Sequence, residues 1–153
     1  MREFIRTAAG LSVAGLWLAV SMTATAAEKK GMPEIIDGGI PASLTGVAGS
    51  ADNGRKTVIN RKQGNCLACH AVSSLNNQPF HGEVGPSLDG ISERYSDAEL
   101  RLILVDSKKV FDGTIMPSFY RKDGYERVAK KFAGKTILSA QQVEDVLAFL
   151  KTQ

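Results

Sequence analysis

Three of the four cysteine and histidine side chains in this 153-residue chain stand together, in Gly64-Asn65-Cys66-Leu67-Ala68-Cys69-His70. The fourth is His81. Three chemistries use such residues. A closed zinc site needs four ligands in regular spacing. Here Cys69 and His70 are adjacent and ten residues separate the histidines, which is not the spacing of a finger or ribbon. A redox dithiol sits at the start of a helix that follows a buried strand. The preceding segment, ADNGRKTVINRKQGN, holds no apolar strand run. The third chemistry uses all three residues. Cys-x-x-Cys-His is the attachment pattern of c-type haem: the thiols of Cys66 and Cys69 add to the porphyrin vinyl groups, and His70 becomes the proximal iron ligand.

Haem iron in electron transfer usually keeps two axial protein ligands, and thioether sulfur raises its potential. Beyond the leader, His81, Met32 and Met116 are the candidates for the opposite face. Met32 lies between Gly31 and Pro33 in an N-terminal arm, and His81 is only eleven residues past His70. Met116 lies 46 residues past His70, in Gly-Thr-Ile-Met-Pro-Ser-Phe. Pro117 biases Met116 towards extended backbone, which suits a loop that delivers a side chain. Met116 is therefore the expected ligand, with His81 second. Gly85-Pro86 stands where a loop can pass back under the haem, and the Pro86 carbonyl could accept the Nδ1 hydrogen bond of His70.

Three helices must position these residues. The first is expected at about Asp52 to Lys62, broken at Gly64. The second opens on the capping box Ser96-Asp97-Ala98-Glu99, with Leu100, Ile103 and Leu104 at helical spacing. The third opens on Ser139-Ala140-Gln141-Gln142 and carries a stripe of Val143, Val146, Leu147 and Leu150, with Phe149 beside it. Strand signal is slight. Residues 28–50 are rich in Gly, Pro, Ser and Thr, with Ile35, Ile36, Ile40 and Leu44 among them. They read either as a flexible leader or as an arm that packs on the domain or a partner.

The chain opens with a basic segment holding Arg2 and Arg6. An apolar run, Ala8 to Met22, follows, and then Ala24-Thr25-Ala26-Ala27. This is the pattern of a cleaved secretory signal, residues 1–27. The run is about fifteen residues, short of the roughly 18 that a spanning helix needs. Export agrees with haem attachment outside the cytoplasm. Cleavage would leave 17 basic and 15 acidic side chains, a balance too weak to imply nucleic acid. Arg121, Lys122, Arg127, Lys130, Lys131 and Lys135 form one basic cluster, either a solvated face or a surface that steers acidic partners.

Taken together, GGIPASLTG, GNCLACH, VGPSLDGISERYSDAELRLILVD, KKVF, TIMPSFY and AGKTILSAQQVEDVLAFL resemble the SoxX family. These are the monohaem subunits of the SoxAX cytochromes of bacterial sulfur oxidation. The resemblance spans about Gly38 to Leu150. It implies a mainly α, class I cytochrome c fold over residues 51–153, preceded by the extended arm, with the first and last helices crossing. It implies one covalent haem c on Cys66 and Cys69, with His70 and Met116 as axial ligands. It implies a periplasmic protein without stable membrane insertion. The implied partners are SoxA as a heterodimer, the SoxYZ carrier transiently, and a downstream cytochrome as electron acceptor. The sulfur chemistry, a cysteine S-thiosulfotransferase reaction, would lie on SoxA, since this chain has no spare cysteine. The rival expectation is a free-standing class I cytochrome c shuttle to a terminal oxidase.

Overall fold

In the computed structural model, residues 32–153 are described. The expected signal segment lies outside them, as do residues 28–31 of the arm. Among the described residues four helices are present: α1 (Ala51–Ile59), α2 (Ile91–Arg94), α3 (Asp97–Asp106) and α4 (Ala140–Leu150). Three single turns of 3-10 helix lie between them, at Cys66–Ala68, Ser73–Leu75 and Ser107–Lys109. Among the described residues the only pairing of strand type is an isolated bridge between Ile36 and Gly39.

Helix α1 starts one residue earlier and ends three residues earlier than its sequence suggests. Ser50 caps it, accepting from the Asn53 N–H. Asn60 stops it: its backbone turns extended, and its side chain accepts from Lys62 N at 2.9 Å. An asparagine side chain that bonds its own downstream backbone offers the chain an alternative to the next helical turn. Arg61 and Lys62 therefore belong to a turn. Helices α3 and α4 start where the sequence indicates, and both capping boxes are complete, with Glu99 and Gln142 bonding back to Ser96 and Ser139.

Helices α1 and α4 cross in close contact. A glycine inside a helix costs about 1 kcal/mol relative to alanine, yet α1 carries Gly54 at the crossing. A Cβ there would lie 2.0 Å from the Asp145 carbonyl oxygen and 2.8 Å from the Phe149 Cβ. Only hydrogen lets the backbones approach this far. Gly49 repeats the device just before the helix, with the Glu144 carbonyl oxygen 2.0 Å from where its Cβ would be.

Helix α3 is buried more completely than its expected stripe. Every residue from Leu100 to Asp106 is buried, including Leu102 and Val105. Helix α4 packs against it, and the chain after Met116 bonds to its last turn. The last-turn carbonyls of Leu104 and Val105 accept from the N–H groups of Phe119 (3.0 Å) and Tyr120 (3.2 Å). That satisfies groups a helix end leaves without internal partners.

The arm divides in two. Ile40 and Leu44 are fully or nearly fully buried in the core, whereas Ile35 and Ile36 are exposed. Arg101 makes a bidentate pair with Glu144 at 2.8 and 3.1 Å. Its Nη1 donates to the Ile40 carbonyl at 2.7 Å, and the Leu44 N–H donates to Glu144 at 2.9 Å. One buried ion pair thus joins α3, α4 and the arm. Removing one partner of such a pair strands the other charge and typically costs about 3–5 kcal/mol. Glu144→Ala is accordingly expected to lower stability by about that much, measured as a reduced denaturant midpoint of the holoprotein.

Candidate functional site

The haem-motif residues form a tight turn. Asn65 enters it in the left-handed region, with φ 49°. Ala68 N bonds to Asn65 O at 3.1 Å, and His70 N bonds to Cys66 O at 3.0 Å. Gly64 passes so close to α1 that a Cβ would lie 2.4 Å from the Thr57 carbonyl oxygen.

A second segment runs alongside this turn. Gly82 N donates to Leu67 O (2.7 Å), Gly85 N to Cys69 O (2.8 Å) and Leu88 N to Ala71 O (3.0 Å). Asp89 fixes its far end by accepting from Ser73 N at 2.9 Å and Ser73 Oγ at 2.6 Å. The bonds from Ser73, with help from Ser87 and the Arg94 charge, hold the Asp89 carboxyl below the usual carboxylate range. Asp89 therefore stays an acceptor through the neutral range.

The consequence falls on His70. Its Nδ1 lies 2.6 Å from the Pro86 carbonyl oxygen, as the sequence suggested. A carbonyl only accepts, so the proton sits on Nδ1 and the lone pair on Nε2. Nε2 is then the nitrogen able to ligate a metal, and the carbonyl makes it more basic. Gly85 makes room for this ring: a Cβ would lie 2.3 Å from His70 Cε1 and 2.8 Å from Nε2.

His81 is used differently. Its Nε2 lies 3.0 Å from the Leu75 carbonyl, to which it donates, and its Nδ1 accepts from Val72 N at 3.4 Å. Both of its nitrogens serve the backbone. Met32 is exposed in the arm. Met116 is half-buried and packs against the core cluster, while its neighbour Ile115 is 76% exposed.

Cys66 and Cys69 are not joined as a disulfide. Burial pushes the Cys66 thiol up to about 12. A redox dithiol needs the opposite shift, since the thiolate is the reactive form. Among the described residues no cluster of three His, Cys, Asp or Glu side chains could hold a metal ion. A cavity of about 410 Å³ lies against the motif, lined in part by Ile59, Arg61, Leu67, Ala68 and Phe80. Cys66, Cys69, His70 and Met116 are not among its walls.

Several residues that hold the Met116 segment carried no signal in the sequence. Ser107 Oγ donates to the Met116 carbonyl at 2.7 Å, and Lys108 Nζ does so at 2.8 Å. Asp106, fully buried, accepts from Ser118 Oγ and pairs with Arg121 at 3.3 Å. Burial would raise its carboxyl, but the bonds from Ser118 and Arg121 and the Arg121 charge outweigh it and hold it low. Arg121 also lies over the Tyr125 ring at 4.4 Å. It is thereby drawn out of the basic cluster, whose other members, Lys122, Arg127, Lys130, Lys131 and Lys135, are all exposed.

A family model described as Cytochrome c matches residues 51–153. Among solved structures, the chain is similar to one described as the crystal structure of SoxXA from P. pantotrophus. The two share 41% sequence identity, with a TM-score of 0.73, over 78% of this chain and 93% of that one. No curated protein matches. These likenesses indicate covalently bound haem c as the cofactor, and Cys66 and Cys69 fit its Cys-x-x-Cys-His attachment motif. No helix among the described residues is long and apolar enough to cross a membrane. Gly85→Ala is expected to displace the His70 ring and cut the yield of low-spin holoprotein severalfold, read from the haem absorption of purified protein against its total mass.

Proposed function

We propose that this chain, which belongs to the cytochrome c family and is a SoxX-type member of it, is the electron-transfer subunit of a periplasmic thiosulfate-oxidising enzyme. The observation that carries the reading is its likeness to a SoxXA chain over nearly that chain's whole length. The partner is then a SoxA cytochrome. When bound, the haem supplies one reversible electron between ferric and ferrous iron.

The chain's own residues fix the terms of that exchange. His70 presents Nε2, held in one tautomer by Pro86. Met116 would supply the second ligand to the iron, and a thioether there would favour the reduced state and raise the potential. With both ligands in place the iron would keep no open position for substrate. Both cysteines belong to the haem motif, so no thiol remains for sulfur transfer. In the enzyme's reaction, a carrier cysteine thiol of the SoxYZ type and thiosulfate form one sulfur–sulfur bond. One proton and two electrons are released. The bond is made on the partner, and this chain passes the electrons singly to a downstream cytochrome. The exposed Lys122, Arg127, Lys130, Lys131 and Lys135 would favour approach of an acidic acceptor.

The arm refines where a partner would bind. Ile40 and Leu44 serve this chain's own core, so they do not call for a partner. Met32, Ile35 and Ile36 remain, each more than 40% exposed. Deleting residues 28–37 is expected to weaken SoxA binding at least tenfold and leave the haem spectrum intact. Unchanged binding would remove the arm from the interface. The reading as a whole is tested by native purification from thiosulfate-grown cells, with mass spectrometry of what stays bound. A second c-type cytochrome in equal amount is expected. A lone monohaem protein would point instead to a free shuttle.

A further inference from the structure

We propose that Ser107 and Lys108 are positioning residues for the sixth haem ligand, holding the Met116 backbone on the end of α3 so that its thioether stays on the iron. The proposal rests on Met116 being that ligand. Its basis is a run of bonds between two short segments. From α3 and the turn after it, Leu104 O, Val105 O, the Asp106 carboxylate, Ser107 Oγ and Lys108 Nζ face residues 114 to 121. Downstream of Met116 the ties are Ser118, Phe119, Tyr120 and Arg121. Upstream, Lys108 Nζ also donates to the Thr114 carbonyl.

Met116 is the pivot between these anchors, and it is held by its own carbonyl. That oxygen accepts from two donors, the Ser107 hydroxyl at 2.7 Å and the Lys108 ammonium at 2.8 Å. Pro117 follows with no N–H to give, so the backbone on that side offers no donor of its own. Ser107 is fully buried, and its hydroxyl has no water to fall back on. Lys108 is exposed, and its aliphatic stem spans the loop from the outside. A buried neutral donor and an exposed charged one thus converge on a single acceptor beside the ligand.

A thioether bound to iron is in equilibrium with a released state in which another ligand can enter. An exogenous ligand binds in proportion to the population of that open state. Removing a donor from the Met116 carbonyl should raise this population by roughly threefold to tenfold, the ratio that one net hydrogen bond corresponds to.

The test is imidazole titration of the ferric holoprotein, followed by its absorption spectrum, together with the midpoint potential. Ser107→Ala and Lys108→Met should each tighten apparent imidazole binding by roughly threefold to tenfold and lower the potential. Lys108→Arg, which keeps charge and donor, should restore near-native values. The rescue separates a positioning effect from loss of a surface charge. Met116→Ala is the reference: it should bind imidazole most tightly and no longer respond to Lys108→Met. If Met116→Ala changes the spectrum while Ser107→Ala and Lys108→Met leave imidazole binding unaltered, the positioning role is wrong and the ligand stands. If Met116→Ala leaves spectrum and potential as they were, the ligand assignment is wrong and the positioning role goes with it. Should Ser107→Ala fail to fold, the Lys108 pair decides alone, since that residue lies at the surface.

Discussion

An imidazole can offer iron one nitrogen only if something settles which nitrogen keeps the proton. Here that decision is made by the contact between His70 Nδ1 and the Pro86 carbonyl. Much else exists to bring those two atoms together. Gly85 gives up a side chain so that the backbone can pass beneath the ring. Gly82 does the same against Ala68, where a Cβ would sit 2.1 Å from the carbonyl oxygen. Asp89 pins the far end of the passing segment to Ser73. These contacts fix the tautomer of His70 and the place of its ring beside the Cys66–Cys69 turn.

The Met116 segment is organised by another kind of element. Helix α3 is apolar from Leu102 to Val105, ends at Asp106, and runs into the polar turn of Ser107 and Lys108. Its body fills the core, and its end collects the backbone of the Met116 loop. Burying Asp106 among donors is costly unless each lone pair is met, and Ser118, Arg121 and the Lys108 N–H meet it. The same few residues therefore end a helix, satisfy a buried charge and hold a loop.

The parts legible from sequence were those governed by local rules. Cys-x-x-Cys-His fixes its own spacing, and Ser96 and Ser139 announce helices through neighbours three places on. Gly85-Pro86 was readable because a carbonyl under the proximal histidine is a chemical need with few suppliers. What escaped notice depends on pairs distant in sequence. Nothing about Ser107 alone says that its hydroxyl will meet Met116, and Arg101 in an apolar helix gives no hint of Glu144 or Ile40. Helix α1 stops short of Lys62 because the Asn60 side chain bonds the chain ahead of it, a local device that helical spacing does not register. The arm looked uniform by composition, yet only its second half finds apolar neighbours.

The bonds joining the arm to α4 bear on how the chain acquires its shape. Leu44 reaches Glu144 across 100 positions, and Ser50 reaches Asp145 across 95. Contacts of such long separation close a large loop, and that closure costs chain entropy before they return any energy. The motif at 66–70 lies inside the loop they close. The described fold therefore cannot be completed without residues 140–150: a fragment that stops short of α4 leaves Ile40, Leu44 and the Arg101 charge without the cover that Glu144 and its neighbours give them.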